Sequence, residues 1–407
     1  SWFSDVLYIE HDSPYSPAYS IIISYLKRKG LLDEISENSS HISDYFYFRV
    51  IKNIPINHSE IGRIGGQGCD KNKVLALSKA LGEMTERAIS GVSDKNKEKK
   101  IASVNELRKK HKVFYPPDIH DFLDIQKEAY RELDYNRDRE IDWVDGENLI
   151  TKEKTFIPKS ITSWFIGRRF SMERLWHSTS NGGAGHFSKE KAIINGIFEV
   201  VHRDAFLCHW LTQIPPEYIV KDSLPEDLQN TIKELSYFGI TVHILNTTAM
   251  NIPSVCVVAI NSESDIPQVT IGGASALNFG DAIKEGLREI NQMASEVFFR
   301  YKDSVLDKKF DSIVPFISDL DKKNRQLYWK GKEKVEKFKW FLSGRQVRYE
   351  DIVKKDLNFD KEYGSQLDIC LNILKKNGEN YYPIVYYPKN KAQKDLGFYV
   401  AQVFIPN

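Results

Sequence analysis

A chain of 407 residues with 41% hydrophobic and 28% charged side chains suits one large or two ordinary globular domains with a sizeable core. Its formal net charge of +1 provides no global field for nucleic acid or an anionic membrane, so neither is an expected partner. Four scattered cysteines (Cys69, Cys208, Cys256, Cys370) form no C-x-x-C pair, zinc signature or disulfide framework, which fits a reducing compartment.

Residues 1–60 are aromatic-rich and contain an expected helix near 17–31. The apolar run around Ile21-Ile22-Ile23 is far too short to span a bilayer, and the opening Ser-Trp-Phe-Ser-Asp lacks the basic-then-apolar order of a signal peptide. A cytoplasmic location is expected. Residues 61–70 read as a glycine-rich loop leading into a helix at 71–91, and the charged run Asp94–Lys100 as a solvated loop. Between 101 and 175, short helices mix with short extended pieces such as Thr155–Ile157, interrupted at Pro158. A second loop and helix span 177–211, and a third loop and helix span 271–300. Apolar runs at Ile240–Leu245 and Ser254–Ile260 predict strands. The remainder carries a Lys/Glu-rich helical stretch near 322–343 and closing strands at Tyr382–Tyr387 and Gly397–Phe404. Helices interleaved with strands give a fold class of α/β or α+β. The chain divides into an N-terminal segment (1–60), a core (61–300) and a C-terminal part of the same fold (301–407).

One spaced pattern occurs on each of the three helices that follow a glycine-containing loop. It runs small residue, small residue four later, glutamate three later, polar residue three after that. The copies are Ala76, Ala80, Glu83, Glu86; then Ala192, Gly196, Glu199, His202; then Ala282, Gly286, Glu289, Gln292. At about 100° per residue the four positions share one helix stripe. Arg87 and Arg203 follow the first two copies. Taken singly, such a stripe is a solvated face or a helix-packing ridge. Three copies together read as three walls of one acidic site.

The second copy is the most specific. His177-Ser178-Thr179-Ser180-Asn181-Gly182-Gly183-Ala184-Gly185 is rich in hydroxyls and glycine and runs into a helix with Ser188 as N-cap and Glu190 in its first turn. Such a segment offers N–H groups and hydroxyls to an anion. Carboxylates suit magnesium, and the Arg203 guanidinium suits phosphate. If Glu83, Glu86, Glu199 and Glu289 converge, each pair at about 4 Å repels by about 4 kcal/mol at an effective dielectric near 20. Protonation or a divalent ion must relieve this. No G-x-x-x-x-G-K-[ST] phosphate loop is present, so a nucleotide would bind by another device.

At these residues the sequence resembles the YcaO family of ATP-dependent peptide-modifying enzymes. The first family motif resembles Gly66-Gln67-Gly68 through Ser78-Lys79 to Glu86-Arg87. The second resembles Thr179–Gly185 through Phe198-Glu199 to Arg203-Asp204-Ala205. The third resembles Gly272-Gly273-Ala274 through Ala282 to Glu289 and Gln292. Order and spacing agree over residues 60–300, and Phe398–Pro406 is similar to the family's late strand. The resemblance implies a YcaO-like fold, with mixed sheets and helices lining a cleft for ATP and Mg2+. It implies phosphorylation of a peptide backbone amide oxygen, so that a Cys, Ser or Thr side chain of a ribosomal precursor peptide closes to a thiazoline or oxazoline.

Carried over, Glu83, Glu86, Glu199 and Glu289 would hold magnesium and orient the triphosphate, with Arg203 on phosphate. Ser78, Lys79, Arg87, Ser180, Asn181, Gly182, His202 and Gln292 complete the implied cofactor-binding set. The implied partners are the precursor peptide and a separate leader-binding subunit, with a dehydrogenase as a further candidate, in a homodimer or hetero-complex. Three departures keep alternatives open. His202 stands where the family often has a second acid, Lys79 where it has a small or hydroxyl residue, and the chain ends Ile405-Pro406-Asn407 without a proline-rich tail. Either further residues follow, or the product is a thioamide or amidine, or the chain is a non-catalytic scaffold.

Overall fold

The computed structural model describes residues 16–39, 43–55, 61–91, 100–118, 136–162, 179–262, 268–305, 332–356, 364–389 and 391–406. The charged residues 94–99, His177 and the first part of the expected 322–343 helix lie outside them.

Helix α1 (Ser16–Arg28) precedes a three-stranded antiparallel sheet of β1 (Glu34–Ser39), β2 (Phe46–Pro55) and β3 (Ile61–Asp70), which leads into α2 (Lys73–Gly91). Ile22 and Leu26 of α1, Phe48 and Val50 of β2, and Ala76, Ala80 and Met84 of α2 share one buried core. Next come β4 (Lys100–Ala102), β5 (Lys112–Val113), β6 (Ile141–Asn148), β7 (Lys154–Pro158) and β8 (Gly183–His186), followed by α3 (Lys189–Thr212). A third group holds β9 (Glu217–Ile219), α4 (Glu226–Ser236), β10 (Ile240–Asn246), β11 (Ser254–Asn261), β12 (Val269–Ser275) and the long α5 (Phe279–Val305). The chain closes with β13 (Gln346–Val347), α6 (Gln366–Asn377), β14 (Ile384–Tyr386) and β15 (Tyr399–Phe404). Of the Lys/Glu-rich stretch, Lys332–Phe338 is a helix and Lys339–Leu342 a tighter turn.

Among the described residues the strands form three sheets. Their orders are β1-β2-β3, then β12-β11-β10-β9-β13, then β5-β7-β6-β14-β15-β8 with β4 beside β6. Pairs β5–β7 and β9–β13 are parallel and the other pairs antiparallel, so the class is mixed α and β. β11 is buried almost throughout between α5 and the aromatic cluster of Phe338 and Phe341, which explains its continuous apolar run. No helix among the described residues is long and apolar enough to cross a membrane.

Much of the three glycine-rich stretches expected as loops is strand: β3, β8 and β12. Glycine serves here for close approach rather than for turning. A Cβ on Gly68 would lie 1.9 Å from the Ala76 carbonyl, and one on Gly66 would lie 2.0 Å from that of Ala80. A Cβ on Gly196 would lie 2.8 Å from the Gly182 carbonyl, and one on Gly286 would lie 2.7 Å from Val257. The small residues of each stripe are therefore spent on packing helix against strand. Each helix also reaches the next glycine strand. α2 lies against β3 and β8, α3 against β8 and β12, and α5 against β12 and β3, which closes a ring.

Candidate functional site

Among the described residues β3, β8 and β12 each end a sheet, so each has a row of backbone groups with no neighbouring strand there. The stripe glutamates meet these edges. The Gln67 amide of β3 donates to Glu83 Oε2 at 2.6 Å, and the Gly273 amide of β12 donates to Glu289 Oε2 at 2.6 Å. Glu86 accepts the Gly185 amide of β8, and Glu199 accepts the Gly182 amide just before it. Each carboxylate thus caps an edge amide of a glycine strand, and the ring of helices brings all four towards one centre.

The electrostatics follow from this crowding. Burial, then the Glu83 and Glu199 charges, push the Glu86 carboxyl up to about 8. Burial pushes Glu199 up to about 7, against Arg203 and with help from Glu289 and Glu83. Glu83 and Glu289 are also raised, chiefly by burial. Guanidiniums answer part of the negative charge. Arg87 bonds both Glu83 and the Gly65 carbonyl. Arg203, half-exposed, stands 3.7 Å from Glu199.

A cleft of about 650 Å³ opens at this centre. Of the residues expected from the sequence, Glu86, Glu199, His202, Arg203 and Glu289 line it. Glu83 stands behind Glu86, close enough to raise it. The others are engaged elsewhere. Ser78 gives its hydroxyl to the Val74 carbonyl, Lys79 pairs with Asp70 at 2.9 Å, and Gln292 accepts from Arg288 at 2.9 Å. The Ser180 backbone carbonyl accepts the Gly183 amide and that of Asn181 accepts from Gln402, while the buried Asn181 Oδ1 has no partner among the described residues. Gly182 has φ +79 and packs where a Cβ would meet the Val403 carbonyl at 2.2 Å, so its role is to hold β8 against β15.

His202 differs from its counterpart Glu86. Burial, then the Arg203 charge, push it down to about 4, so the ring is neutral at physiological pH. It lies against Gly273, where a Cβ would fall 2.4 Å from its Cε1, and its buried Nδ1 has no partner among the described residues. Arg288 was not anticipated from the sequence. It lines the cleft with Nε 2.6 Å from Glu285 and feels the Glu289 charge. It sits one residue outside the stripe; the legible signal was the Glu285, Arg288, Gln292 spacing on one helix face.

The donor set suits a cation, because four crowded carboxylates with raised proton affinity gain from a divalent ion. As the side chains stand, no group of three or more His, Cys, Asp or Glu among the described residues is arranged to hold a metal. One reason is that each carboxylate already gives an oxygen to a backbone amide.

The same architecture occurs in solved structures. A heterocyclase in complex with substrate and cofactor superposes with a TM-score of 0.69 at 18% identity, covering 96% of this chain and 52% of that one. YcaO from Methanopyrus kandleri, bound with AMPPCP and Mg2+, gives 0.69 at 14% identity over 97% of this chain and 90% of its own. The E. coli microcin synthetase McbBCD complex gives 0.60 at 14% identity, covering 92% and 87%. The fold is therefore that of the YcaO-type heterocyclases. Residues 67–407 match the YcaO cyclodehydratase family, described as ATP- and Mg2+-binding, and the chain belongs to that family. An uncharacterized protein of Methanothermobacter thermautotrophicus is 24% identical over 170 residues, 41% of this chain and 44% of that one. The chain thus spans about half the length of that heterocyclase and less than half of this relative.

Proposed function

We propose that this chain is an ATP- and Mg2+-dependent cyclodehydratase that activates a backbone amide of a ribosomal precursor peptide. The observation that carries the reading is the convergence of Glu86, Glu199 and Glu289, with Arg203 and Arg288, on one cleft in a YcaO fold. In this reading Glu83, Glu86, Glu199 and Glu289 hold magnesium, which supplies charge neutralisation along the triphosphate. Arg203, half-exposed and loosely paired, contacts phosphate. These residues would position the γ-phosphoryl group and neutralise its charge, on which phosphoryl transfer mainly depends. The γ-phosphoryl passes to the amide oxygen, a Cys, Ser or Thr side chain of the peptide bonds to the amide carbon, and phosphate leaves with that oxygen. The peptide loses one water and ATP becomes ADP and phosphate. A leader-binding subunit and a cytoplasmic setting belong to the same proposal, as do a catalytic core over 61–300 and a C-terminal part of the same fold over 301–407.

A second reading, a scaffold that binds nucleotide with little chemistry, is favoured by one observation. His202 puts a neutral ring where the first stripe has Glu86, so the acid set is short by one. Phosphate release from ATP with magnesium, candidate peptide and partner separates the two. The enzyme reading expects release that falls at least about tenfold in Glu199→Gln and Arg203→Ala; release unchanged by either substitution defeats it. Mass spectrometry then divides the products, since azoline formation removes about 18 Da and thioamide formation adds about 16 Da.

A further inference from the structure

The edge of β12 is only partly capped. In β11, Ser254 gives its carbonyl to Thr247 of the β10 side, and Pro253 accepts the Ala276 amide. Ser254 and Ser275 therefore form a non-hydrogen-bonded pair, and the odd-numbered residues of β12 point their N–H and C=O away from β11. Gly273 obeys this rule, because its amide goes outward to Glu289. Ser275, two residues on, has its outward amide on the cleft wall with no partner among the described residues. Its hydroxyl is turned inward to Ser254, 2.5 Å away. On the other two edges several groups are answered by the protein: on β3, Glu83 accepts the Gln67 amide and Arg87 donates to the Gly65 carbonyl; on β8, Ser180 and Glu86 accept the Gly183 and Gly185 amides.

A buried backbone amide needs a hydrogen-bond partner from protein, water or ligand, and one facing a cavity can exchange water for a ligand. Residues Gly273 to Asn278 follow one another along the cleft wall, and Asn195 and Gln366 also line the cleft. We propose that an extended peptide docks here as an added strand, its backbone pairing with the outward N–H and C=O of Ser275. This deepens, and rests on, the peptide-activating reading above. An extended peptide matches this edge, because Ser275 offers donor and acceptor together and neither a phosphate nor a metal uses both. At about 3.3 Å per residue, a peptide in register with Ser275 brings its next amides alongside Gly273, where Glu289 is fixed.

The test uses the whole chain with AMPPCP and Mg2+ and, separately, without them. The probe is a blocked hexapeptide, acetyl-Gly-Ala-Cys-Gly-Ala-Gly amide, and the same peptide N-methylated on alternate amides. Peptide binding is read by saturation-transfer NMR, and hydrogen exchange is read at Ser275. Expected results are slower exchange at Ser275 with the peptide, at least about tenfold weaker binding of the N-methylated form, and a similar loss in Ser275→Pro. Proline is tolerated on an edge strand whose N–H faces outward, and a melting curve with retained AMPPCP binding verifies the fold. Ser275→Ala keeps peptide binding. Equal binding of both peptides, unchanged exchange at Ser275, or full binding by folded Ser275→Pro overturns the proposal. Failure of AMPPCP to bind the wild type is a separate result that counts against the nucleotide reading.

Discussion

The Glu289 carboxylate accepts the amide of Gly273, sixteen residues earlier, at 2.6 Å, and Glu83 accepts that of Gln67 at the same separation and distance. The repeated unit is thus a glycine edge strand followed by a helix whose glutamate reaches back to cap that edge. Three such units in a ring leave their carboxylates crowded at the centre.

Crowding makes the free protein sensitive to alkali. Glu86 and Glu199 titrate near 8 and 7, above the value of about 4.3 for an unfolded glutamate. A carboxyl raised by folding favours the folded state while protonated, so its contribution is complete below the unfolded value and is lost as pH rises through the folded one. Thermal melts without metal are expected to fall by a few degrees between pH 6 and 9, and Glu86→Gln to remove part of that fall. Added Mg2+ should restore the melting point at pH 8 more than at pH 6, with proton release measurable by calorimetry in two buffers.

Packing of strand on helix sets a different prediction. Gly68→Ala forces a methyl into the Ala76 carbonyl and is expected to destabilise by about 3 kcal/mol or more. Gly82, also in α2, has nothing within 4 Å of an added Cβ, so Gly82→Ala should stabilise by about 0.5–1 kcal/mol. Urea unfolding of the two variants checks the contrast.

Arg87 holds the Gly65 carbonyl and the Glu83 carboxylate with one planar fork. Arg87→Lys keeps the charge but loses the fork, and should weaken stability by about 1–2 kcal/mol while raising the magnesium concentration needed for nucleotide binding. Denaturation and a metal titration on the same variant measure both effects.

His202→Glu supplies the acid that the second stripe lacks. The variant should bind Mn2+, read by its paramagnetic signal, at least about threefold more tightly at pH 8 than the wild type does. Without metal it should melt lower, because another carboxylate joins a set already raised by mutual repulsion. Equal Mn2+ affinity would remove His202 from the metal environment.

Much of the site was legible because helical spacing is local. Four positions on one stripe of each helix can be read without knowing the partner, and Ser188 does cap α3, accepting the Lys191 amide. The strands at 240–246 and 254–261 were legible from their apolar runs. The glycine segments were read as loops because composition does not distinguish a glycine that turns from one that admits a helix backbone. The difference lies in Ala76 and Ala80 packing across from Gly68 and Gly66. Ser78 and Lys79 share the stripe's neighbourhood in sequence, yet they turn to Val74 and Asp70, a choice made by rotation of α2 against β3. Arg288 escaped because it lies one residue outside the repeated stripe, although its spacing from Glu285 and Gln292, both of which it bonds, was a local signal.

The central claim is that the carboxylate cleft is a magnesium–nucleotide site. Calorimetric titration of AMPPCP into the wild type and Glu199→Gln, each with and without Mg2+, tests it most directly. The account predicts binding that requires magnesium in the wild type and is at least about tenfold weaker in Glu199→Gln. Equal, magnesium-independent heats in both proteins, or none in either, would contradict it.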